Sequence, residues 1–196
     1  MRREDLRELH YITPIGNVPS ILSRGILSHR LAAKVRHESV AMQNIQDRRA
    51  KVRLPTGRPL HDFANLYICA RNPMLYLRWA HHDSLCVLQV SPDVLDVEKV
   101  VVADRNASSD YCRFDAAPSG LAGIDEQSVF AEYWTDPNPI QAHINKSVKC
   151  AEVLVPDRVP THLVRGAYVS GDVAKQRLAA LAPNFTITVD AHLFFL

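Results

Sequence analysis

The chain has 196 residues, of which 47% are apolar and 22% charged, and its formal net charge is +2. That suits one domain with a sizeable core, residues 1–196, and the near-neutral total gives no global signal for a nucleic-acid partner. No apolar run is long enough to span a membrane and the N-terminus, MRREDLRELH, lacks the apolar stretch of a signal peptide, so a cytoplasmic protein is expected.

In chain order, LHYIT (9–13) reads as a short strand. Asn17 is placed to cap a helix running through Arg24, with Gly25 as its stop. Residues 39–50 carry helical spacings, whereas 51–62, with two prolines and a glycine, form a loop. LYICA (66–70) reads as a buried strand, and a helix begins at Asn72-Pro73. LCVLQV (85–90) and KVVVA (99–103) have the β-branched runs of core strands, with a short helix from Ser91-Pro92 between them. Residues 125–134 suit an amphipathic helix. CAEVLV (150–155) and LVRGAYVS (163–170) are further strands, 171–181 is helical, and FTITV (185–189) closes the sheet. The fold class is α+β. No Gly-rich turn follows a strand in the Rossmann manner and no Walker loop occurs, so any dinucleotide must be held by another architecture.

Local features narrow the chemistry. Arg48, Arg49, Lys51, Arg53, Arg58, Arg71 and Arg78 share a stretch in which Asp62 is the only carboxylate. Such a stripe binds phosphates, or is simply a solvated surface. Cys69, Cys86, Cys112 and Cys150 lack the spacing of a zinc knuckle and read as reduced thiols. His81-His82-Asp83 reads as exposed rather than as a metal site, and His61-Asp62 as a turn held by the aspartate. Glu152 stands out, because a carboxylate inside an apolar strand is costly to bury without a partner. Strand alternation puts Cys150, Glu152 and Leu154 on one face and Ala151, Val153 and Val155 on the other. The plain reading is a sheet-edge glutamate facing water beside a lysine.

LHYITPIGNVPSIL (9–22), IQDRRAKV (45–52), LHDFANLYICARNPMLY (60–76), ADRNASSDYCRF (103–114), EYWTDP (132–137) and KCAEVLV (149–155) together resemble, in order, the DarT family of DNA ADP-ribosyltransferase toxins. The resemblance implies the ADP-ribosyltransferase fold, a split β-sandwich core with peripheral helices and NAD in the cleft between two small sheets. It implies transfer of ADP-ribose from NAD, as co-substrate and without a metal, to a base of single-stranded DNA, and a neutralising antitoxin partner. Rivals are the same fold acting on RNA or protein, and an inactive nucleic-acid-binding module.

Carried over residue by residue, Glu152 falls on the family's catalytic glutamate, with Arg48 and Lys149 as further candidates in catalysis. Arg48 or Arg49 supplies a cation to the NAD phosphates. Tyr11, Thr13, Asn17, Tyr67 and Tyr76 complete the expected NAD-binding set. Asn106, Arg113 and Cys150 are expected near the acceptor base, and Lys51, Arg53 and Arg58 along the DNA. Two positions depart from the family pattern. Tyr11 stands where relatives carry His, and Cys150 where thymine-modifying relatives carry Gln. A thiol lacks the two-sided hydrogen bonding of a carboxamide, so guanine stands beside thymine as the expected base.

Overall fold

A computed structural model describes residues 1–196. The first half of the chain builds β1 (Leu9–Pro14), α1 (Val18–Arg24), β2 (Ile26–Leu27), α2 (His29–Ala32), α3 (Gln43–Arg49), β3 (Phe63–Tyr67), α4 (Pro73–Tyr76) and β4 (Leu85–Val90). The second half adds β5 (Val101–Ala103), β6 (Phe114–Ala116), α5 (Glu126–Phe130), α6 (Pro139–Val148), β7 (Glu152–Pro156), β8 (Arg158–Val159), β9 (Val164–Val169), α7 (Asp172–Leu181) and β10 (Ile187–Val189). No helix is long and apolar enough to cross a membrane.

The main sheet runs β10-β9-β4-β1-β3-β7-β5-β6, and β2 and β8 form a separate ribbon. Its two halves are unequally joined. β1 pairs with β4 along its whole length, and β3 pairs with β7 from Phe63↔Pro156 to Tyr67↔Glu152. Between β1 and β3, however, the register holds only at His10↔Tyr67. The halves β10-β9-β4-β1 and β3-β7-β5-β6 therefore splay beyond that point.

One face of the sheet carries the main core: Leu66, Leu88, Val102, Val153, Val155, Ala167 and Val169 meet Val18 and Ile21 of α1 and Ala174 and Leu178 of α7. The opposite face carries two smaller clusters. One gathers Ile12, Tyr67, Leu75, Val87, Cys150 and Phe194; the other gathers Leu54, Phe63, Ala103 and Leu154. Cys150 and Leu154 thus belong to different clusters, and Glu152 lies between them in sequence on the same face. The alternation expected for this segment holds, although the strand itself starts two residues later, at Glu152.

Local chemistry explains most element boundaries. α1 ends at Gly25, whose φ is +85° and whose added Cβ would fall 2.1 Å from the Val159 carbonyl oxygen, so only glycine fits. Asn17 precedes α1 but its side chain does not cap it. Asn72 does cap α4, its Oδ1 accepting from the N–H groups of Met74 and Leu75. The helix expected over 39–50 is trimmed to Gln43–Arg49. The strand expected at 66–70 lies at Phe63–Tyr67. The helix expected over 125–134 stops at Phe130, because Lys149 takes the Val129 and Ala131 carbonyls and draws the chain away from helical continuation. α6 starts on the same Asn-Pro signal as α4, with Asn138 Oδ1 accepting from the Ile140 N–H, but it has no apolar stripe to mark it: Ile140 and Ile144 are exposed and Val148 alone is buried.

Candidate active site

A cleft of about 630 Å³ opens where the half-sheets part. Tyr11, Ile12 and Thr13 of β1 line one wall, and Phe63, Asn65 and Tyr67 of β3 the other. α3 contributes Arg48 and Arg49, and the loop after β5 contributes Asn106 and residues 108–111. The volume lies within the range of small-molecule sites.

Arg49 and Glu152 occupy the centre. Arg49 lines the cleft, and Glu152 sits one layer behind it, 0% exposed. The guanidinium donates from Nη1 to Oε1 at 3.0 Å and from Nη2 to Oε2 at 3.1 Å. Oε1 accepts a further bond from the Ala107 N–H at 3.1 Å. A bidentate, charge-assisted pair is what a buried carboxylate requires. Burial works against the charge of Arg49, but the Glu152 carboxylate outweighs it, and the pKa of Arg49 is raised. The reading of Glu152 as a sheet-edge group facing water is overturned. β7 lies between β3 and β5, and the carboxylate's partner is an arginine.

The pair shapes its surroundings. Tyr67, opposite Glu152 in register, has its phenol pKa pushed well up by burial and by the carboxylate's charge, so it stays protonated. Burial and the same charge push the Cys150 thiol to about 12. Cys150 lines the cleft as a neutral group. His29 and His61 stack there with ring centroids 4.1 Å apart, and His61 Nε2 meets Gln46 Oε1 at 3.1 Å. Burial lowers both imidazole pKa values, with the positive charge of Arg49 adding to it. His29 carries no signal of its own in the sequence, and reading His61-Asp62 as a turn held by the aspartate misses the ring's approach to His29 of α2.

The other expected residues divide. Tyr11, Thr13, Arg48, Lys51, Tyr67, Asn106 and Cys150 line the cleft. Asn17 does not line it, but holds its edge. Its Nδ2 donates to Thr13 Oγ1 at 3.2 Å and to the Glu38 carbonyl at 2.8 Å, and its Oδ1 accepts from the Glu38 N–H. Arg78 forks Nε and Nη2 onto the Val40 carbonyl, so two side chains anchor the loop before α3.

Five expectations need correction. Lys149 is neither beside Glu152 nor at the surface. It is 2% exposed, and its ammonium donates to the Val129 carbonyl at 2.9 Å, to the Ala131 carbonyl and to Cys69 Sγ at 3.4 Å. Tyr76 lies outside the cleft, edge-on to Trp134 and Phe195. Arg113, 77% exposed, also lies outside it and pairs with Asp104. Arg58 is neutralised by Asp62 and Asp157 and lies over the Phe63 ring, while Arg53 donates to the Gly57 carbonyl. The basic stripe is therefore thinned: carboxylates neutralise Arg49 and Arg58, while Arg53, Arg71 and Arg78 are held by backbone carbonyls. Arg48 and Lys51 remain as unpaired cations. His82 donates to or accepts from Ser170, and no His, Cys, Asp and Glu side chains are grouped to hold a metal ion.

A mixed sheet that splays at β1/β3 around a cleft, with helices on both sides, is the fold of solved ADP-ribosyltransferases. Two solved structures superpose on nearly the whole chain. Thermosipho africanus DarTG in complex with ADP-ribose matches at a TM-score of 0.84 and 30% identity, covering 97% of this chain and 51% of that one. Thermus sp. 2.9 DarT in complex with ADP-ribosylated ssDNA matches at 0.83 and 25% identity, covering 96% of both. In sequence, a DNA ADP-ribosyl transferase-DNA ADP-ribosyl glycohydrolase fusion protein of Thermosipho africanus is 32% identical over 97% of this chain, and a DNA ADP-ribosyl transferase of a Thermus species is 31% identical over 80%. The chain spans half the length of the fusion protein and 78% of the Thermus one. The family model described as ssDNA thymidine ADP-ribosyltransferase, DarT, matches residues 10–195, and the chain belongs to this family.

Proposed function

We propose that residues 1–196 act as one ADP-ribosyltransferase domain that takes ADP-ribose from NAD and joins it to a base of single-stranded DNA. The observation that carries this reading is the Arg49–Glu152 pair at the floor of the cleft, in a chain of this family. Two relatives add support: one is solved in complex with ADP-ribose and another with ADP-ribosylated ssDNA. The lining residues fit such a co-substrate. Arg48 is an unpaired cation for its phosphates and protonated Tyr67 a donor for its polar edges, while Lys51 and the Asn106 amide are left for the acceptor DNA.

The chemistry breaks the bond between the ribose C1′ and the nicotinamide nitrogen. The electron pair leaves with nicotinamide, and positive charge builds on the sugar as in glycoside hydrolysis. Thymine has one ring N–H, at N3; as N3 bonds to C1′, that proton must go to a base. Glu152 is the carboxylate placed for it. Oε1 already accepts from Arg49 and Ala107, whereas Oε2 accepts from Arg49 alone, so Oε2 has the free lone pair. Arg49 lies between the carboxylate and the cleft and must shift to admit the base.

Thymine is the base in the family's description, and Cys150 in the cleft leaves guanine as the alternative. The fusion of transferase and glycohydrolase in one relative supports a separate or fused partner that reverses the modification, in the role of antitoxin. The test is incubation of the purified protein with NAD and oligonucleotides carrying a single thymine or a single guanine, followed by mass spectrometry. A mass gain of one ADP-ribose on DNA, absent with RNA and protein acceptors, supports the reading; no gain on any DNA overturns it.

A further inference from the structure

The loop that carries Asn106 is closed by one side chain. Asp104, only 8% exposed, stands at its start. Its Oδ1 accepts from Arg105 Nε at 3.1 Å and from the Arg113 backbone N–H at 3.0 Å. Its Oδ2 accepts from Arg105 Nη2 at 3.0 Å and from Arg113 Nε at 3.3 Å. The Asp104 N–H in turn donates to the Arg113 carbonyl. One carboxylate thus ties both ends of the 104–113 segment, and its pKa is lowered: burial opposes ionisation, but the bonds from Arg105 and Arg113 prevail.

What this loop touches gives the clamp its meaning. The Ala107 N–H bonds Glu152 Oε1 at 3.1 Å, and the Asn106 N–H bonds the Ser147 carbonyl at 2.8 Å. Asn106 Oδ1 is occupied by the Ser108 N–H and hydroxyl, leaving its Nδ2 as the group available to the cleft. Asp104, Arg105 and Arg113 themselves do not line the cleft.

We propose that Asp104 is a positioning residue that couples the 104–113 loop to Glu152, holding the Ala107 N–H on the carboxylate and Asn106 at the cleft wall. With the clamp released, Oε1 loses a donor and the acceptor base loses a fixed wall, while the α3 side, where Arg48 and Lys51 stand, is untouched. The inference rests on the transferase reading for its kinetic consequence and on geometry alone for its structural one.

Asp104→Asn and Arg105→Ala are measured with the intact chain in three ways: transfer to a thymine-containing oligonucleotide, NAD binding by calorimetry, and hydrogen exchange at residues 105–113. Arg105→Ala removes two of the clamp's bonds outside the cleft, and serves if Asp104→Asn fails to fold. The expected result is a tenfold or greater fall in kcat for transfer, NAD affinity within twofold of wild type, and at least tenfold faster exchange at Ala107. Wild-type kcat in a folded variant, or loss of NAD affinity in proportion to kcat, overturns the coupling. Unchanged exchange at Ala107 overturns it as well, even if the wild-type protein proves inactive on DNA; that inactivity by itself would count against the transferase reading alone.

Discussion

Arg49 and Glu152, 103 residues apart in the chain, meet through two parallel hydrogen bonds of 3.0 and 3.1 Å with neither side chain more than 8% exposed. Each charge is tolerated because the other is present. Breaking such a pair from one side costs about 3–5 kcal/mol, whereas replacing both members by apolar groups is often neutral. Arg49→Ala is therefore expected to lower stability by about that amount, and Arg49→Met with Glu152→Leu to recover most of it without recovering activity. Denaturant unfolding of both variants checks this; equal stability of Arg49→Ala and wild type would show that the pair is not a buried unit.

Glu152→Gln keeps the shape and the Ala107 contact but removes the negative charge. Transfer to DNA should fall by about 100-fold or more, the usual scale for losing a positioned base. Stability should fall too, because the Arg49 charge is then uncompensated. A rate within a few-fold of wild type would remove Glu152 from the chemistry.

Lys149 separates a structural from a catalytic role. Lys149→Met should cost about 1.5–3 kcal/mol for each charged hydrogen bond lost to the Val129 and Ala131 carbonyls. Below its melting temperature the variant should keep its kcat within about threefold, a factor worth under 1 kcal/mol. A large loss of kcat in a well-folded Lys149→Met protein would return the lysine to the active site.

The stacked imidazoles predict a pH dependence. Burial and the nearby Arg49 charge lower the pKa of both His29 and His61 from 6.5 in the folded state. Above pH 6.5 both states are neutral at these sites and stability is unaffected. As pH falls below 6.5 the unfolded chain binds protons that the folded one resists, so stability declines until the lower folded pKa is passed. Thermal melting between pH 8 and 5 should show this slope, and it should be shallower in His29→Asn with His61→Asn. An identical slope in the double variant would place the protons elsewhere.

Arg48 and Lys51 are the cations of the basic stripe with no internal partner, whereas Arg58 is held by Asp62 and Asp157. Replacing Lys51 by Ala should reduce the slope of log affinity for single-stranded DNA against log salt by up to ~0.7, the value for one phosphate on a single strand, whereas Arg48→Ala should act on NAD affinity instead. Arg58→Ala should leave the slope nearly unchanged. A larger effect from Arg58 would mean that its ion pairs open on binding.

The family resemblance and the strands of the core were legible in the sequence because both are local. Alternating or continuous β-branched runs mark LCVLQV and the β7 segment whatever they pair with, and Gly25 and Asn72-Pro73 mark helix ends through their own backbone preferences. The parity that puts Cys150, Glu152 and Leu154 on one face follows from the strand period alone. Which side chain answers Glu152 does not. Arg48 and Arg49 are equivalent in sequence, and only where α3 sits beside the cleft in the folded chain turns Arg49 inward and leaves Arg48 exposed. Lys149 and Arg58 read as free cations because their partners, the Val129 and Ala131 carbonyls and Asp157, are 18 to 99 residues distant and visible only once the chain is folded. The cleft itself exists because β1 and β3 share a single register pair, a long-range geometry that no window of the sequence encodes.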